Sequence, residues 1–559
     1  MTSLYKIILF FPILTIIGCS GSGSSSSTVT SNGAVETCFD VEVKNAGNSQ
    51  TQNICTTVEN GGYNGLGVAR FIRFSVSSPN TSVSVRATRT SGLNPADPDI
   101  YLFKNGAIIN YAETTQSNTE YLTANLGIGD YVVEINEYGY WSSSDKPIVN
   151  STLTQKTSEP VLFQATSPST NCNDVSGSST VTGTITFDRV PHLGNALDYR
   201  VASITQEPIQ QAVVEVICGN GTYGTSVRTD QNGFYSISYP HNTSSFIRVN
   251  AQMLSASWDF SVVDNTISNK PIYRKDNNVV LTTGPVDNHD FNAESGWGGA
   301  SYTGTRFAAP FAILDSVRKA KDKIINSDIN PVVFPALKIN WSPSNSSLTI
   351  NTSFYDGTEI FLLGAENSDT DEYDEHVIIH EWGHYFEDKF SRTDSIGGPH
   401  SGGDIIDIRV AFGEGFGNAF SSIVLDDPNY IDTSGPQQSV GFSINMENNN
   451  CTNAGWYSEC SVQSTLYDIF DTTNDGADNI SLGFTPIYEV LVGSQKTTAA
   501  FTSIFSFTKV FKDENPASAN VLDSILSTQN IDSVMDIYGS SQMTSNPGVT
   551  DQLPVYGAY

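Results

Sequence analysis

The segment that most constrains the fold of this chain is Asp374-Glu-His-Val-Ile-Ile-His-Glu-Trp-Gly-His-Tyr-Phe-Glu387. His380 and His384 lie four residues apart, so on a helix both imidazoles project from one face. Two histidines placed in this way can occupy two corners of a zinc tetrahedron. Glu381 points toward water at such a metal, where a carboxylate can act as a general base. The chain has only 7 histidines in 559 residues, so chance explains this H-E-x-x-H pattern poorly, and we expect a metal-binding helix here.

A different histidine pair and a different ligand set also have to be considered. His376 lies one turn before His380, but no glutamate follows His376. We therefore expect His376 either to begin the helix or to support a metal ligand without binding the metal itself. The metzincin class needs glycine at position 387 and histidine at position 390. This chain has Glu387 and Phe390, which excludes that class.

The third ligand is expected on the next helix. Residues 410–424 are almost wholly apolar and contain one carboxylate, Glu414. An unpaired buried carboxylate is costly, and a metal ion is a natural compensation. We therefore expect Glu414 to be the third ligand. Asn418, one turn further on, is expected to hold a metal ligand in position without binding the metal itself.

These residues resemble the gluzincin metallopeptidases. The resemblance covers roughly residues 300–490 and depends on His380-Glu-Trp-Gly-His384 and Gly413-Glu414-Gly-Phe-Gly-Asn418. It implies one catalytic zinc held by His380, His384 and Glu414, a protein or peptide substrate, and hydrolysis by zinc-activated water with Glu381 as general base. Many members have Asp four residues after the ligand glutamate, where this chain has Asn418.

The resemblance also implies two further parts of the site. In the family, a strand before the motif helix, here Thr358 to Gly364, forms the edge on which extended substrate pairs. A tyrosine or histidine donor to the oxyanion is expected as well. Three candidates stay open for that donor or for supporting a metal ligand: His400, Tyr457 and Tyr467. For the loop that carries His400, a purely structural turn is the alternative.

Residues 35–150 alternate apolar and polar positions between turns, which predicts a β-sandwich. The runs Asp97-Pro-Asp-Ile-Tyr-Leu-Phe103 and Leu126-Gly-Ile-Gly-Asp-Tyr-Val-Val-Glu-Ile135 resemble the bacterial pre-peptidase C-terminal domain, an accessory module of secreted peptidases. Residues 151–178, rich in Ser, Thr, Pro and Asn, are predicted to be a linker.

Residues 179–290 predict a second sandwich. Two strand patterns are followed by Thr229-Asp-Gln-Asn-Gly-Phe-Tyr-Ser-Ile237, which resembles the carboxypeptidase regulatory-like, transthyretin-type sandwich. Gly233 would supply a positive φ in the hairpin. From about residue 295 the apolar spacing becomes helical. The fold class we expect is therefore multidomain: two all-β sandwich domains, followed over residues 295–559 by an α+β, mainly helical zincin-like metallopeptidase domain.

Residues 1–18 resemble a lipoprotein signal peptide. Lys6 precedes an apolar stretch, Ile7 to Ile17, that is shorter than the roughly 20 residues a membrane-spanning helix needs. Gly18 before Cys19 resembles the bacterial lipobox, which implies that Cys19 carries a lipid. Residues 19–34 would be a Ser/Gly tether. We expect a bacterial cell-envelope protein, lipid-anchored to a membrane at the outer membrane or cell surface; an ordinary secretory cleavage with an incidental cysteine is the alternative.

The remaining six cysteines predict disulfides, because an even number is typical of exported chains. Their spacing forms three local pairs: Cys38 with Cys55, Cys172 with Cys218, and Cys451 with Cys460. A cysteine zinc cluster is the rival interpretation, and the chain has no C-x-x-C to support it.

The sequence also offers a calcium site in an acidic loop around Gly476. Its oxygen donors are Asp471, Asn474, Asp475 and Asp478. The loop lacks the terminal glutamate of an EF-hand, and acidic turns are commonly just solvated.

Charge limits the partners of this protein. There are 28 Lys plus Arg against 59 Asp plus Glu, a net charge of −31, which disfavours nucleic acids and anionic membrane surfaces. Nothing in the sequence indicates an oligomeric state. Two functions remain: a surface-anchored zinc endopeptidase, or an inactive surface adhesin or binding lipoprotein that retains the fold. The complete set of ligands and base favours the enzyme.

Overall fold

The fold is taken from a computed structural model of the whole chain. It describes residues 17–18, 35–58, 63–93, 95–114, 117–137, 177–218, 221–241, 245–277, 284–448, 450–474, 476, 478–542 and 555–559. The predicted tether and almost all of the predicted signal peptide and linker lie outside these residues.

The N-terminal region is a β-sandwich, in which alternating residues such as those of Thr81–Ser91 point into and out of the core. After the short β1 (Ile17–Gly18), its strands are β2 (Val35–Asn45), β3 (Asn48–Val58), β4 (Ala69–Val76), β5 (Thr81–Ser91), β6 (Pro98–Lys104), β7 (Ala107–Ala112), β8 (Thr119–Leu126) and β9 (Gly129–Glu137). One sheet has the order β3-β2-β5-β8, and β4, β9, β6 and β7 form the facing sheet. The two sheets share an apolar core.

The second region is also β-rich. Its strands are β10 (Ser178–Arg189), β11 (His192–Leu193), β12 (Ala196–Leu197), β13 (Thr205–Pro208), β14 (Ala212–Cys218), β15 (Gly221–Arg228), β16 (Phe234–Pro240), β17 (Phe246–Leu254), β18 (Asp259–Val263), β19 (Arg274–Asn277) and β20 (Phe291–Ala293). The turn before β16 has Gly233 at φ +74°, and a Cβ there would lie 2.4 Å from the Ile185 carbonyl oxygen. Glycine is required at this turn, as the sequence predicts.

The C-terminal half holds the helices and a few short strands. The helices are α1 (Ala309–Ser327), α2 (Glu375–Phe390), α3 (Ile408–Leu425), α4 (Glu459–Phe470), α5 (Thr485–Val492), α6 (Ile504–Glu514) and α7 (Ala519–Thr528). The strands are β21 (Leu337–Trp341), β22 (Phe354–Tyr355), β23 (Ile360–Leu362), β24 (Gly364–Ala365), β25 (Asp369–Thr370), β26 (Asn429–Ser434), β27 (Val440–Asn445) and β28 (Tyr556–Ala558). The fold class is thus confirmed in its coarse form, a multidomain chain with β-rich N-terminal and helical C-terminal parts.

Two sheets cross the domain boundaries that the sequence suggests. β18 pairs in parallel with β21, so the sheet of β14, β15, β17 and β18 continues into β21, β23 and β22. The predicted boundary near residue 290 therefore lies within one continuous sheet. At the other end of the chain, β28 pairs in parallel with β4 and extends the N-terminal sandwich.

The expected substrate edge is wrong in position. The strand within Thr358 to Gly364 is β23, which lies between β21 and β22 rather than at an edge. β22 lies outside it, and β1 pairs with β22 in antiparallel register, Ile17 opposite Tyr355.

Two of the three predicted disulfides are confirmed, Cys38–Cys55 and Cys451–Cys460. Cys172 lies outside the described residues, so its pairing with Cys218 stays a prediction. Cys19 lies outside them as well. Among the helices of the described residues, none combines the length and apolar character needed to cross a membrane.

Candidate metal centre

Helix α2 carries the H-E-x-x-H segment through the middle of the core. Asp374 is its N-cap residue, and the helix continues to Phe390, so His380 and His384 lie on adjacent turns of one face. The flanking Trp382 and Phe386 are fully buried and hold the helix against its neighbours. His380, Glu381 and His384 are themselves fully buried.

Helix α3 packs against α2 through glycines. Its N-cap residue Asp407 accepts a hydrogen bond from the backbone N–H of Arg409. A Cβ on Gly417 would lie 2.8 to 3.0 Å from ring atoms of His380, so only glycine leaves space for that imidazole. Gly383 of α2 faces the same place, where a Cβ would lie 3.4 Å from the Gly417 Cα atom. This close approach brings Glu414 of α3 up to the histidines.

The three expected ligands converge. His380 Nε2 lies 2.9 Å from His384 Nε2, and Glu414 Oε2 lies 3.3 Å from the first and 3.5 Å from the second. A tetrahedral ion with ligands at about 2.0–2.1 Å separates its ligands by about 3.4 Å. Both carboxylate oxygens of Glu414 are buried, and within the described residues neither accepts a hydrogen bond of good geometry. These residues fit a zinc ion for three reasons. Imidazole nitrogen and carboxylate oxygen are zinc donors, their spacing suits a tetrahedral ion, and the buried Glu414 carboxylate lacks hydrogen bonds from the described residues.

A layer of polar side chains orients the histidines, as the sequence suggests for Asn418. The Nδ1 atom of His380 lies 2.8 Å from Asn418 Oδ1, and Asn418 donates in turn to Gln463 Oε1. The Nδ1 atom of His384 lies 3.6 Å from Glu387 Oε2. The Asn418 contact fixes the tautomer of His380 and leaves its Nε2 for the metal, while Glu387 lies near His384 without a hydrogen bond to it. The ligand pattern alone indicates neither Gln463 nor Glu387; for Glu387, the i, i+3 spacing from His384 is the available signal.

His400 is placed beside the ligand carboxylate. Its Nδ1 lies 3.0 Å from the Gly398 carbonyl oxygen, and its Nε2 lies 3.2 Å from Glu414 Oε2 and 3.5 Å from Glu459 Oε2. Burial raises the pKa of Glu414, but His400 and His384 together hold it well below its usual range. This contact suits a residue that orients Glu414, which is the supporting role that the sequence left open for His400 beside that of an oxyanion donor. Glu459, which is also buried, was not foreseen.

Glu381 has the features of a buried proton acceptor. Within the described residues, neither carboxylate oxygen accepts a hydrogen bond of good geometry, and burial is the main reason that its pKa rises to about 8. A carboxylate with a pKa near neutrality is well matched to taking up and releasing a proton in that range.

The other candidates make contacts of a different kind. His376 packs against Tyr430 at 5.4 Å, and burial lowers its pKa to about 4. Tyr457 packs against Trp456, and its hydroxyl faces the Ala454 carbonyl oxygen at 3.4 Å. Tyr467 lies one turn beyond Gln463 on α4 and packs against Phe470.

The structure does not assemble the described part of the predicted calcium loop into a ligand group. Asp471 accepts a hydrogen bond from the Thr473 backbone N–H, and Asp475 lies outside the described residues. No set of three clustered acidic, histidine or cysteine ligands in the described residues includes Asp471 or Asp478.

The helix pair and its ligand triad are the arrangement of a metallopeptidase site. The family model of the mycolysin C-terminal domain matches residues 334–527, a range that contains α2, α3 and all three candidate ligands. That domain is found in fungalysin- and mycolysin-type zinc metallopeptidases. No curated protein matches the chain. This region is therefore similar to a metallopeptidase domain, which supports a peptidase in general terms.

Proposed function

We propose that this protein is a zinc-dependent endopeptidase in which His380, His384 and Glu414 hold the metal and Glu381 is the general base. The observation that carries the proposal is the convergence of these three ligand atoms beside a buried, unpaired carboxylate. The similarity to the mycolysin C-terminal domain supports peptides or proteins as substrates.

Each residue has a separate task in this proposal. Zinc bound there would act as a Lewis acid that polarises the scissile carbonyl and acidifies water. Glu381 accepts the proton of the attacking water and passes it to the leaving amine. Asn418 holds the His380 ring by a hydrogen bond, Glu387 lies 3.6 Å from the His384 ring, and His400 lies 3.2 Å from the Glu414 carboxylate. Helix packing fixes these positions before substrate arrives, which lowers the cost of reaching the transition state.

The edge of β22 is the proposed position for an extended substrate. β22 contacts α2, and it already accepts the short strand β1 by antiparallel pairing. A substrate strand paired in the same way would run past the helix that carries Glu381. If residues 1–18 are a signal peptide, their removal would free this edge.

We also propose, from the sequence alone, that Cys19 is lipidated and that residues 19–34 tether the body to a bacterial membrane. The two β-rich regions would then serve as spacers or as surfaces that grip substrate. Replacing Cys19 by alanine should move the protein from the detergent phase to the aqueous phase of a Triton X-114 partition. Unchanged partitioning would contradict the anchor.

The function is tested by comparing wild type with Glu381→Gln in zinc content and casein hydrolysis. Both proteins should contain one zinc per chain. The variant should lose roughly 10²- to 10⁴-fold in hydrolysis, because a general base contributes about that much. Glu447→Gln is the matched control, since that glutamate lies outside the described ligand layer and should leave both readouts unchanged.

The outcomes separate the remaining possibilities. Zinc without hydrolysis in the wild type would contradict an active casein-cleaving enzyme. The absence of zinc from both proteins would contradict the metal centre and favour a binding lipoprotein. Equal hydrolysis by both proteins would exclude Glu381 as the base.

A further inference from the structure

A second group of carboxylates lies outside the centre described above. Asp369 is on β25, Asp371 follows that strand, and Asp432 is on β26. Carboxylate oxygens of all three lie within 4.8 Å of one another. Asp371 is 2% exposed and Asp432 8% exposed, while Asp369 is half-buried, so two of the three carboxyl groups are shielded from water, unlike those of a solvated acidic turn.

The basic side chains nearby contact other carboxylates. Arg306 pairs with Glu372, and His192 Nε2 lies 2.8 Å from Asp374 Oδ1. Within the described residues, none of the ion pairs involves Asp369, Asp371 or Asp432. Three negative charges are therefore gathered without a positive partner from this part of the protein.

Hydrogen bonds do not satisfy the cluster either. Asp371 accepts one from the Ser353 hydroxyl, and its carboxyl faces that of Asp369 within hydrogen-bonding reach. The Asp369 Oδ1 atom is buried without a partner. The Asp432 carboxylate points into the group and receives no hydrogen bond from the described residues.

Buried carboxylates in this position need either protons or a cation. Burial and mutual repulsion raise the pKa of Asp369 and of Asp371, so the three carboxyl groups cannot all remain charged without compensation. Oxygen-only donors favour a hard cation over zinc. Two oxygens bound to one Ca²⁺ can lie up to about 4.6 to 5.2 Å apart, so three oxygens within 4.8 Å of one another can share one ion.

We propose that Asp369, Asp371 and Asp432 bind a Ca²⁺ ion. The ion would join two segments that frame the zinc centre. Asp371 lies three residues before the N-cap of α2, and β26 begins four residues after α3 ends. Calcium bound here would fasten the start of the first zinc helix to the chain leaving the second.

Equilibrium dialysis of the purified protein against ⁴⁵Ca²⁺, with zinc present throughout, tests this directly. We expect one Ca²⁺ per wild-type chain, and at least a tenfold weaker affinity in Asp432→Asn. The control is Asp426→Asn, which removes an exposed charge six residues away at the αL end of α3, where asparagine is tolerated. Asp471→Asn tests the other acidic loop, and neither control should change binding.

Thermal unfolding with and without Ca²⁺ distinguishes a cation site from a proton-sharing group. Calcium should raise the Tm of the wild type and of Asp426→Asn but not that of Asp432→Asn. Without calcium, Asp432→Asn should be at least as stable as the wild type, because it relieves repulsion. A wild type that binds no Ca²⁺, a loss caused by Asp471→Asn instead, or a lower calcium-free Tm in Asp432→Asn would each overturn the proposal. Zinc content is measured in parallel, so a failed zinc centre would be recognised separately.

Discussion

At Gly417 the lack of a side chain fixes the position of the first zinc-ligand candidate. The His380 ring occupies the volume that a Cβ would fill, with three ring atoms within 3.0 Å of that position. Because the ring is also held by Asn418, it cannot move without giving up a hydrogen bond. A single methyl group should therefore disturb the metal centre through geometry alone.

Gly417→Ala should bind zinc about 10- to 100-fold more weakly than the wild type, the range found when the support of a ligand is lost. Competition with a chromophoric chelator measures this without relying on activity. Gly127→Ala is the control, since it adds the same methyl group in the N-terminal sandwich, where no atom lies within 4 Å of the new Cβ. Equal zinc affinity in the two variants would show that the close approach to His380 is not important.

The parts of the site that depend on local spacing could be predicted from the sequence. His380 and His384 share a helix face, and Glu414 is the one carboxylate of an apolar helix. The contacts of His400 and Glu459 depend instead on how a loop and a later helix pack against α3. Residue spacing holds no information on that packing, so the sequence leaves several roles open for His400 and does not indicate Glu459.

At the scale of elements, α4 connects the polar layer of the centre to a disulfide. Glu459 and Gln463 lie one turn apart on α4, and they face His400 and Asn418 respectively. Cys460, beside Glu459, is bonded to Cys451 in the preceding loop. The disulfide therefore holds the first turn of the helix that completes this layer.

Replacing both Cys451 and Cys460 by serine should lower the free energy of unfolding by about 2–3 kcal/mol, the value for a loop of this length. It should also weaken zinc binding, because Glu459 is no longer held. Denaturant unfolding and zinc competition provide the two measurements. Serine at both Cys38 and Cys55 is the comparison, since that disulfide joins strands of the N-terminal sandwich and should leave zinc affinity unchanged. Equal effects of both pairs on zinc affinity would contradict a local role for Cys451–Cys460.

The sequence predicts single strands better than it predicts which strands pair in a sheet. Alternating burial in β5 and the Gly233 turn before β16 follow from local patterns. The pairing of β18 with β21 joins segments more than 70 residues apart, and β28 reaches back to β4 across most of the chain. Pairing over such distances is decided by tertiary packing, so sequence periodicity places strands but not the sheets they share.

At the scale of the whole molecule, the N-terminal sandwich contacts the loop that carries His400. Asn64 donates to the Pro399 carbonyl oxygen, and its own carbonyl accepts from the Asp407 backbone N–H. Beside this contact, the buried Arg409 of α3 binds Glu134 of β9 at 2.8 Å. The sandwich thus supports both the His400 loop and the start of α3, rather than acting only as a spacer.

Glu134→Gln should lower the free energy of unfolding by about 2–3 kcal/mol, because Arg409 would lose a buried charged partner while keeping Asp407. The same variant should speed hydrogen exchange in residues 395–407, since the sandwich would hold this loop less firmly. Glu42→Gln is the control: it removes a surface ion pair with Arg86 in the same sandwich, and such pairs contribute little. Denaturant unfolding and hydrogen-exchange mass spectrometry measure the two effects. Faster exchange confined to the sandwich, with residues 395–407 unchanged, would show that the His400 loop is held by the helical region alone.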